Sequence, residues 1–155
     1  MSTVRSAVHD TFRLDRHYDA PPGRVFRAFA DPAAKAKWFG GPEETKREDE
    51  EFDFREGGRE TMVSVFGDGT RFGFYATYTD IVPDERIVYT YEMAMNGRRI
   101  SVSVATVEVR PAAGGGTDFV LTEQGVYLDG LDNAAQRRQG TEDLMDALGR
   151  SLADD

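Results

Sequence analysis

Residues 131–152 read LDNAAQRRQGTEDLMDALGRSL, the one long helical pattern in a chain that is otherwise mostly strand. Leu144, Met145, Leu148 and Leu152 recur at spacings of three and four, the stripe of a helix lying on a core. Carried back toward the N-terminus, the stripe meets Thr141, Arg138 or Arg137, and Ala134, with Gly140 beside them. A helix whose buried face is bulky in one half and small or polar in the other cannot fill the space above a sheet along its whole length. The pattern predicts a cavity under the N-terminal half, and that cavity is the first candidate for function.

What the helix lies on is read from the preceding residues. Residues 9–18 alternate as a half-buried strand, with Phe12, Leu14 and Tyr18 on one side, where Arg16 also falls. Ala20-Pro21-Pro22 ends it and opens a short helix carrying Val25, Phe26 and Phe29. Asp31-Pro32 restarts a second short helix through Lys37, with Asp31 as N-cap. Trp38-Phe39-Gly40-Gly41-Pro42 is a turn-prone segment whose aromatics either rim a pocket or tether the loop to the core.

From residue 44 to 118 the pattern is strand and turn. Residues 45–54 and 59–66 form a hairpin around Arg55-Glu56-Gly57-Gly58. Residues 71–82 place Phe72, Phe74, Ala76 and Tyr78 on one face and Gly73, Tyr75, Thr77 and Ile81 on the other. Residues 86–95 put Ile87, Tyr89, Tyr91, Met93 and Met95 on one face and lead into Asn96-Gly97, a strong hairpin signal. Strands at 100–109 and 119–127 follow, and Asp132 is the expected N-cap of the long helix. Meandering strands make an antiparallel sheet, which buries one face by laying the helix across it. Twenty-two residues give a helix of about 33 Å, long enough for that. The expected fold is α+β: a curved antiparallel sheet of about seven strands, two short helices after strand 1, and a long C-terminal helix, all in a single domain over residues 1–155.

Composition narrows the function classes. The net charge is −9, against a nucleic-acid or anionic-membrane partner, since phosphate binding needs a basic face. Residues 43–60 hold nine acids against four bases. This is read as an edge strand guarded from pairing by charge, with an acidic docking surface as the alternative. The absence of cysteine excludes a thiolate nucleophile and disulfides. With no apolar signal core at the N-terminus and no membrane-length apolar run, the expected location is cytoplasmic. His9 and His17 are too few and badly placed for a metal site, and Gly114-Gly115-Gly116 lacks the helix and Lys-Ser/Thr of a phosphate loop. No cofactor is expected.

Six ordered segments carry a resemblance: RHYDAPPGRVFRAFADP at 16–32, Trp38-Phe39, FDFREGG at 52–58, VPDERIVYTYE at 82–92, GGGTDFVLTEQG at 114–125 and RRQGTEDLMDALGRSL at 137–152. Together they resemble the START-like, or SRPBCC, superfamily, and within it the family named after activators of the 90-kDa heat-shock-protein ATPase. The resemblance implies a helix-grip fold with a cavity between sheet and C-terminal helix, often holding an apolar or amphipathic small molecule. It implies no single activity, because the superfamily includes lipid carriers, polyketide cyclases and hormone receptors. Relatives often carry Gly-Trp where this chain has Gly140-Thr141, which enlarges the expected cavity. Eukaryotic co-chaperones of this kind carry an additional N-terminal domain, for which 155 residues leave no room.

The expected cavity wall is Trp38, Phe54, Phe74, Tyr75, Tyr91, Leu121, Thr141, Met145 and Leu148, with Glu123 and Arg138 orienting the ligand. An arginine near the helix face either reaches in to bind a carboxylate or phenolate or pairs on the surface one turn away. Glu123 alternates with Phe119 and Leu121; turned inward, its carboxyl either has a raised pKa and acts as general acid or base or is simply paired to an arginine. Glu92 and Tyr75 are lesser candidates for that role. The first reading is a module binding an apolar or amphipathic small molecule without catalysis. The alternatives are a cyclase- or dehydratase-like enzyme using a cavity Glu or Tyr, and a protein-interaction or co-chaperone-like module, with a homodimer as one form.

Overall fold

The turn signals between residues 46 and 128 each close a hairpin, and the hairpins alone order most of the sheet. In the computed structural model, which describes residues 5–40 and 45–153, the elements run β1 (Ala7–Tyr18), α1 (Pro22–Ala30), α2 (Pro32–Lys35), β2 (Lys46–Phe52), β3 (Arg59–Val65), β4 (Arg71–Val82), β5 (Arg86–Met95), β6 (Arg98–Pro111), β7 (Thr117–Leu128) and α3 (Ala134–Ala153). At the β5–β6 turn, Asn96 and Gly97 take φ of 51° and 81°, the paired left-handed conformations a two-residue hairpin needs. The strands form one antiparallel sheet in the order β1-β7-β6-β5-β4-β3-β2. Only β1 departs from sequence neighbours: it returns to pair with β7, Ala7 opposite Leu128 and Tyr18 opposite Thr117. The result is the expected α+β helix-grip fold, with α3 against a curved seven-stranded sheet.

Two helix boundaries differ from expectation. The second short helix stops at Lys35, with Ala36 as its C-cap, although Asp31 caps its start as expected by accepting from Ala34 N at 3.0 Å. The N-cap of α3 is Asn133, whose Oδ1 accepts from Gln136 N at 2.9 Å; Asp132 instead turns its carboxylate to Arg137. Gly41 and Pro42 of the turn after Trp38, like Glu43 and Glu44 of the acidic stretch, lie outside the described residues.

Packing follows the alternation. Phe12, Leu14, Phe119 and Leu121 are buried beneath α1 and α3, and Phe29 stacks on Phe119 with centroids 5.9 Å apart. The C-terminal half of α3 is pinned at Leu148, fully buried, and by the Tyr18 hydroxyl, which donates to Met145 O at 2.8 Å. Arg16 reaches the same helix and pairs with Asp146 at 3.5 Å. The acidic strand β2 is a sheet edge with its charged side chains in solvent. Among the described residues no helix is long and apolar enough to cross a membrane.

Two substitutions separate the halves of α3. Leu148→Ala removes a fully packed side chain and should cost about 2–5 kcal/mol. Gly140 has nothing within 4 Å of where a Cβ would stand. Gly140→Ala should therefore stabilise by roughly 0.5–1 kcal/mol through helix propensity alone. Urea midpoints at constant slope measure both, and a destabilised Gly140→Ala would mean that the helix needs its glycine there.

Candidate functional site

The cavity is built from the sheet upward. On the inner face the register sets Glu60, Ala76, Tyr91, Ser103 and Gly125 in one cross-strand row, and Tyr78, Tyr89, Ala105 and Glu123 in the next. Strand β6 contributes only Ser101, Ser103 and Ala105 to this region, all fully buried. Small residues there leave room above β6, and the Tyr91 side chain crosses it to reach Glu123, two strands and about 10 Å away. Above lies the N-terminal half of α3, where Gly140 and Thr141 leave the space unfilled. Between them is a cavity of about 380 Å³. Its walls are mostly aromatic and Met side chains, closed on one side by Trp38 and Phe39 after α2.

Two polar clusters border this space, the first through Tyr91, Glu123 and Arg137 and the second through Lys35, whose partner Glu60 lines the neighbouring groove. In the first, the Tyr91 hydroxyl donates to Glu123 Oε1 at 2.5 Å and accepts from Arg137 at 3.2 Å. Arg137 also donates to Ser101 Oγ at 3.0 Å and pairs with Asp132, with its guanidinium over the ring of Tyr91. Burial pushes the Glu123 pKa up, against the opposing pull of the Tyr91 hydrogen bond and the Arg137 charge. Burial, then the Glu123 carboxylate, raises Tyr91 as well, so at neutral pH the phenol keeps its proton and donates it. In the second cluster, Lys35 Nζ lies 2.5 Å from Glu60 Oε1, which also accepts from the Tyr78 hydroxyl at 2.5 Å. Burial lowers the Lys35 pKa, and the charge of Glu60 partly opposes it. Beside the first row, Ser103 Oγ and Tyr127 Oη are buried without a protein partner among the described residues, groups that ordered water ordinarily satisfies.

Seven expected residues meet at the cavity: Trp38, Phe74, Tyr91, Leu121, Glu123, Thr141 and Met145. Four lie elsewhere. Tyr75 follows Phe74 in an extended strand and so points to the opposite face, where its ring covers Gly73 and its hydroxyl would stand 2.5 Å from a Cβ there. Phe54 lies past the end of β2 and packs under α1 against Phe26 and on Tyr78. Leu148 is core, one turn beyond the cavity floor. Arg138 is on the surface, paired with Glu142 at 3.1 Å one turn along the helix. The arginine in the cavity is its neighbour Arg137, four residues before Thr141 on the same stripe. Glu92 pairs with Arg99 at a partly exposed position. Among the lining residues outside the expected set is Lys35, which sits three and four residues before Trp38 and Phe39, a spacing that does not by itself mark burial. Among the described residues no three His, Asp or Glu side chains are placed to hold a metal.

A family model described as Activator of Hsp90 ATPase homolog 1-like protein matches residues 19–153. The chain belongs to this family. It is similar, at 44% identity and a TM-score of 0.93, to a putative uncharacterized protein from Rhizobium leguminosarum, with 99% of this chain and 100% of that one covered. A protein from Rhizobium loti is 41% identical over 94% of this chain and 99% of its own, with a TM-score of 0.86. One from Chromobacterium violaceum is 30% identical over 92% and 96%, with a TM-score of 0.76. No curated protein matches. These likenesses fix the START-like fold and the family, and none of the three solved relatives is described by an activity.

The Glu123 shift has a measurable sign. Its folded pKa lies above the unfolded one, so the folded state binds the proton more tightly. The stability this supplies is complete below the unfolded pKa and is lost as pH rises through the folded value. Glu123→Gln is neutral throughout and still accepts from Tyr91. Its melting temperature should therefore gain on the wild type as pH rises from about 4 to about 8. Thermal melts by circular dichroism across that range test this, and a constant gap would remove the perturbed carboxyl.

Proposed function

We propose that this protein binds an apolar or amphipathic small molecule in the cavity between the sheet and α3. The observation that carries the reading is an aromatic-walled space of about 380 Å³ faced by the buried, hydrogen-bonded pair Glu123 and Tyr91. That size and that ratio of apolar wall to convergent polar groups fit a small-molecule site. The charges around the cavity favour an uncharged ligand. Arg137 is already balanced by Asp132 and Lys35 by Glu60, so an ionised ligand would enter with its charge uncompensated, at high desolvation cost. Glu123, held toward its neutral form, presents a hydrogen-bond donor to a carbonyl or hydroxyl oxygen. A chain without cysteine fits a reducing cytoplasm as the place of action.

One observation favours a second reading, an enzyme of the cyclase or dehydratase kind. A buried carboxyl with a raised pKa, hydrogen-bonded to a phenol and facing an apolar cavity, is what proton transfer at a carbonyl needs. Turnover of a model β-hydroxyketone that is lost in Glu123→Gln, while binding persists, would put this reading first.

Native mass spectrometry of freshly purified protein should show a co-purifying small molecule. Calorimetry with naphthylmethanol should show binding that naphthoate does not match. Thr141→Trp puts an indole into the cavity and should weaken naphthylmethanol binding by roughly tenfold or more, or about 1.4 kcal/mol. Arg138→Ala should leave affinity unchanged because its side chain is outside. Equal binding by Thr141→Trp and wild type would overturn the cavity as the site.

A further inference from the structure

Binding as proposed leaves one buried group unused. Lys35 is one of three lysines among nineteen basic residues, and the other two, Lys37 and Lys46, are exposed. It ends α2, a four-residue helix fixed at its start by Asp31, so its position is set by local structure. Its side chain is buried where the aromatic cavity meets a neighbouring groove that Phe39 and Met62 also line. The Nζ stands over the rings of Phe39 at 4.6 Å and Phe52 at 5.3 Å. It has a proton acceptor at 2.5 Å in Glu60 and a phenol at 3.4 Å in Tyr78. As a stability device the arrangement is poor, because well-packed apolar residues in place of a buried ion pair are often neutral or stabilising. As chemistry it is apt: an amine in an apolar pocket, beside a base, is how proteins make a nucleophilic lysine.

We propose that Lys35 captures the carbonyl carbon of an aldehyde or ketone in the cavity, forming an imine, with Glu60 as proton carrier. This rests on the reading that the cavity admits small apolar molecules. The ammonium gives a proton to Glu60, and the freed nitrogen pair forms the C–N bond as the carbonyl π pair moves to oxygen. The nitrogen passes a second proton to that oxygen, giving a neutral carbinolamine. The C–O bond then breaks as the nitrogen pair closes C=N, and the departing oxygen takes the proton held by Glu60 and leaves as water. Carbonyl compound and ammonium become iminium and water, with no net change in charge and no redox partner. Glu60 ends as it began, a carboxylate beside a cation, so capture leaves no buried charge unpaired. Lowering of the Lys35 pKa by burial supports the first step.

The test is reductive trapping on the whole protein. Naphthaldehyde with sodium cyanoborohydride, which reduces the imine to a stable secondary amine, is followed by peptide mapping of Lys35, Lys37, Lys46 and the N-terminus. Lys35 should be labelled on the order of tenfold faster than the two exposed lysines. Excess naphthylmethanol should slow it by occupying the cavity, Glu60→Gln should slow it at equal occupancy of the cavity, and Arg138→Ala, outside the cavity, should change neither labelling nor naphthylmethanol affinity. Labelling of Lys35 no faster than Lys37 and Lys46, with naphthylmethanol still bound by calorimetry, overturns the imine and leaves the cavity reading standing. Failure of naphthylmethanol itself to bind overturns both.

Discussion

Tyr91 donates its hydroxyl hydrogen to Glu123 across the width of β6 and accepts one from Arg137 on the helix above. That shared hydroxyl joins sheet and helix where neither fills the space between them. A buried carboxyl without a partner would cost several kcal/mol or draw water into the core. Here it is met by a phenol fixed on a strand, and the phenol by a guanidinium that Asp132 balances. The small residues of β6 follow from this geometry: a bulky side chain at Ser103 or Ala105 would block the reach of Tyr91. So does the polar half of α3, because the stripe must present Arg137 where its other half presents Leu148.

The sheet was legible because it is built from local instructions. Turn residues such as Asn96-Gly97 order neighbouring strands, and alternation gives each strand its buried face. The helix was legible because its stripe is regular from Leu144 onward. Of the seven expected residues that meet at the cavity, all but Trp38 lie in unbroken strands or on that stripe: Phe74, Tyr91, Leu121, Glu123, Thr141 and Met145. Errors arise where a period fails or cannot decide. Strand β2 ends at Phe52, so its alternation does not govern Phe54, which turns under α1. Tyr75 is excluded by the very alternation that admits Phe74. Arg137 and Arg138 flank the stripe almost equally, since a residue advances about 100° around a helix. Their partners decide between them: Glu142 holds Arg138 outside, and Asp132, Tyr91 and Ser101 hold Arg137 within.

Lys35 was invisible for another reason. Its burial depends on Glu60, twenty-five residues away, and on the ring of Phe52 in β2 as well as those of Trp38 and Phe39 one turn on. No window of sequence contains that neighbourhood. A lysine on a short, polar-looking turn reads as surface unless a carboxylate and aromatic surface are brought over it by tertiary structure. The same holds for Glu60, which sits at the start of β3 among exposed charges and faces inward only because the sheet register puts it opposite Ala76.

The placement of these costs is itself informative. A cavity forgoes dispersion contacts, a glycine in a helix gives up propensity, and each buried ionic cluster must recover its desolvation through geometry. Such features scattered through a fold would read as ordinary imperfection. In this protein Gly140, Thr141, the Glu123–Tyr91–Arg137 cluster and Lys35 of the Lys35–Glu60–Tyr78 cluster gather at one space, while the other end of α3 is close-packed, with Leu148 fully buried and Gly149 against the Tyr18 ring. Local violations of good packing that gather at a single site mark where selection has favoured something over stability. Because the strands that bear Glu60 and Glu123 are joined through rows of β4, β5 and β6, both clusters are held on one rigid platform. A molecule bound there as proposed would meet two fixed chemistries at once: a carboxyl whose pKa burial raises, with its phenol, and an amine with its base.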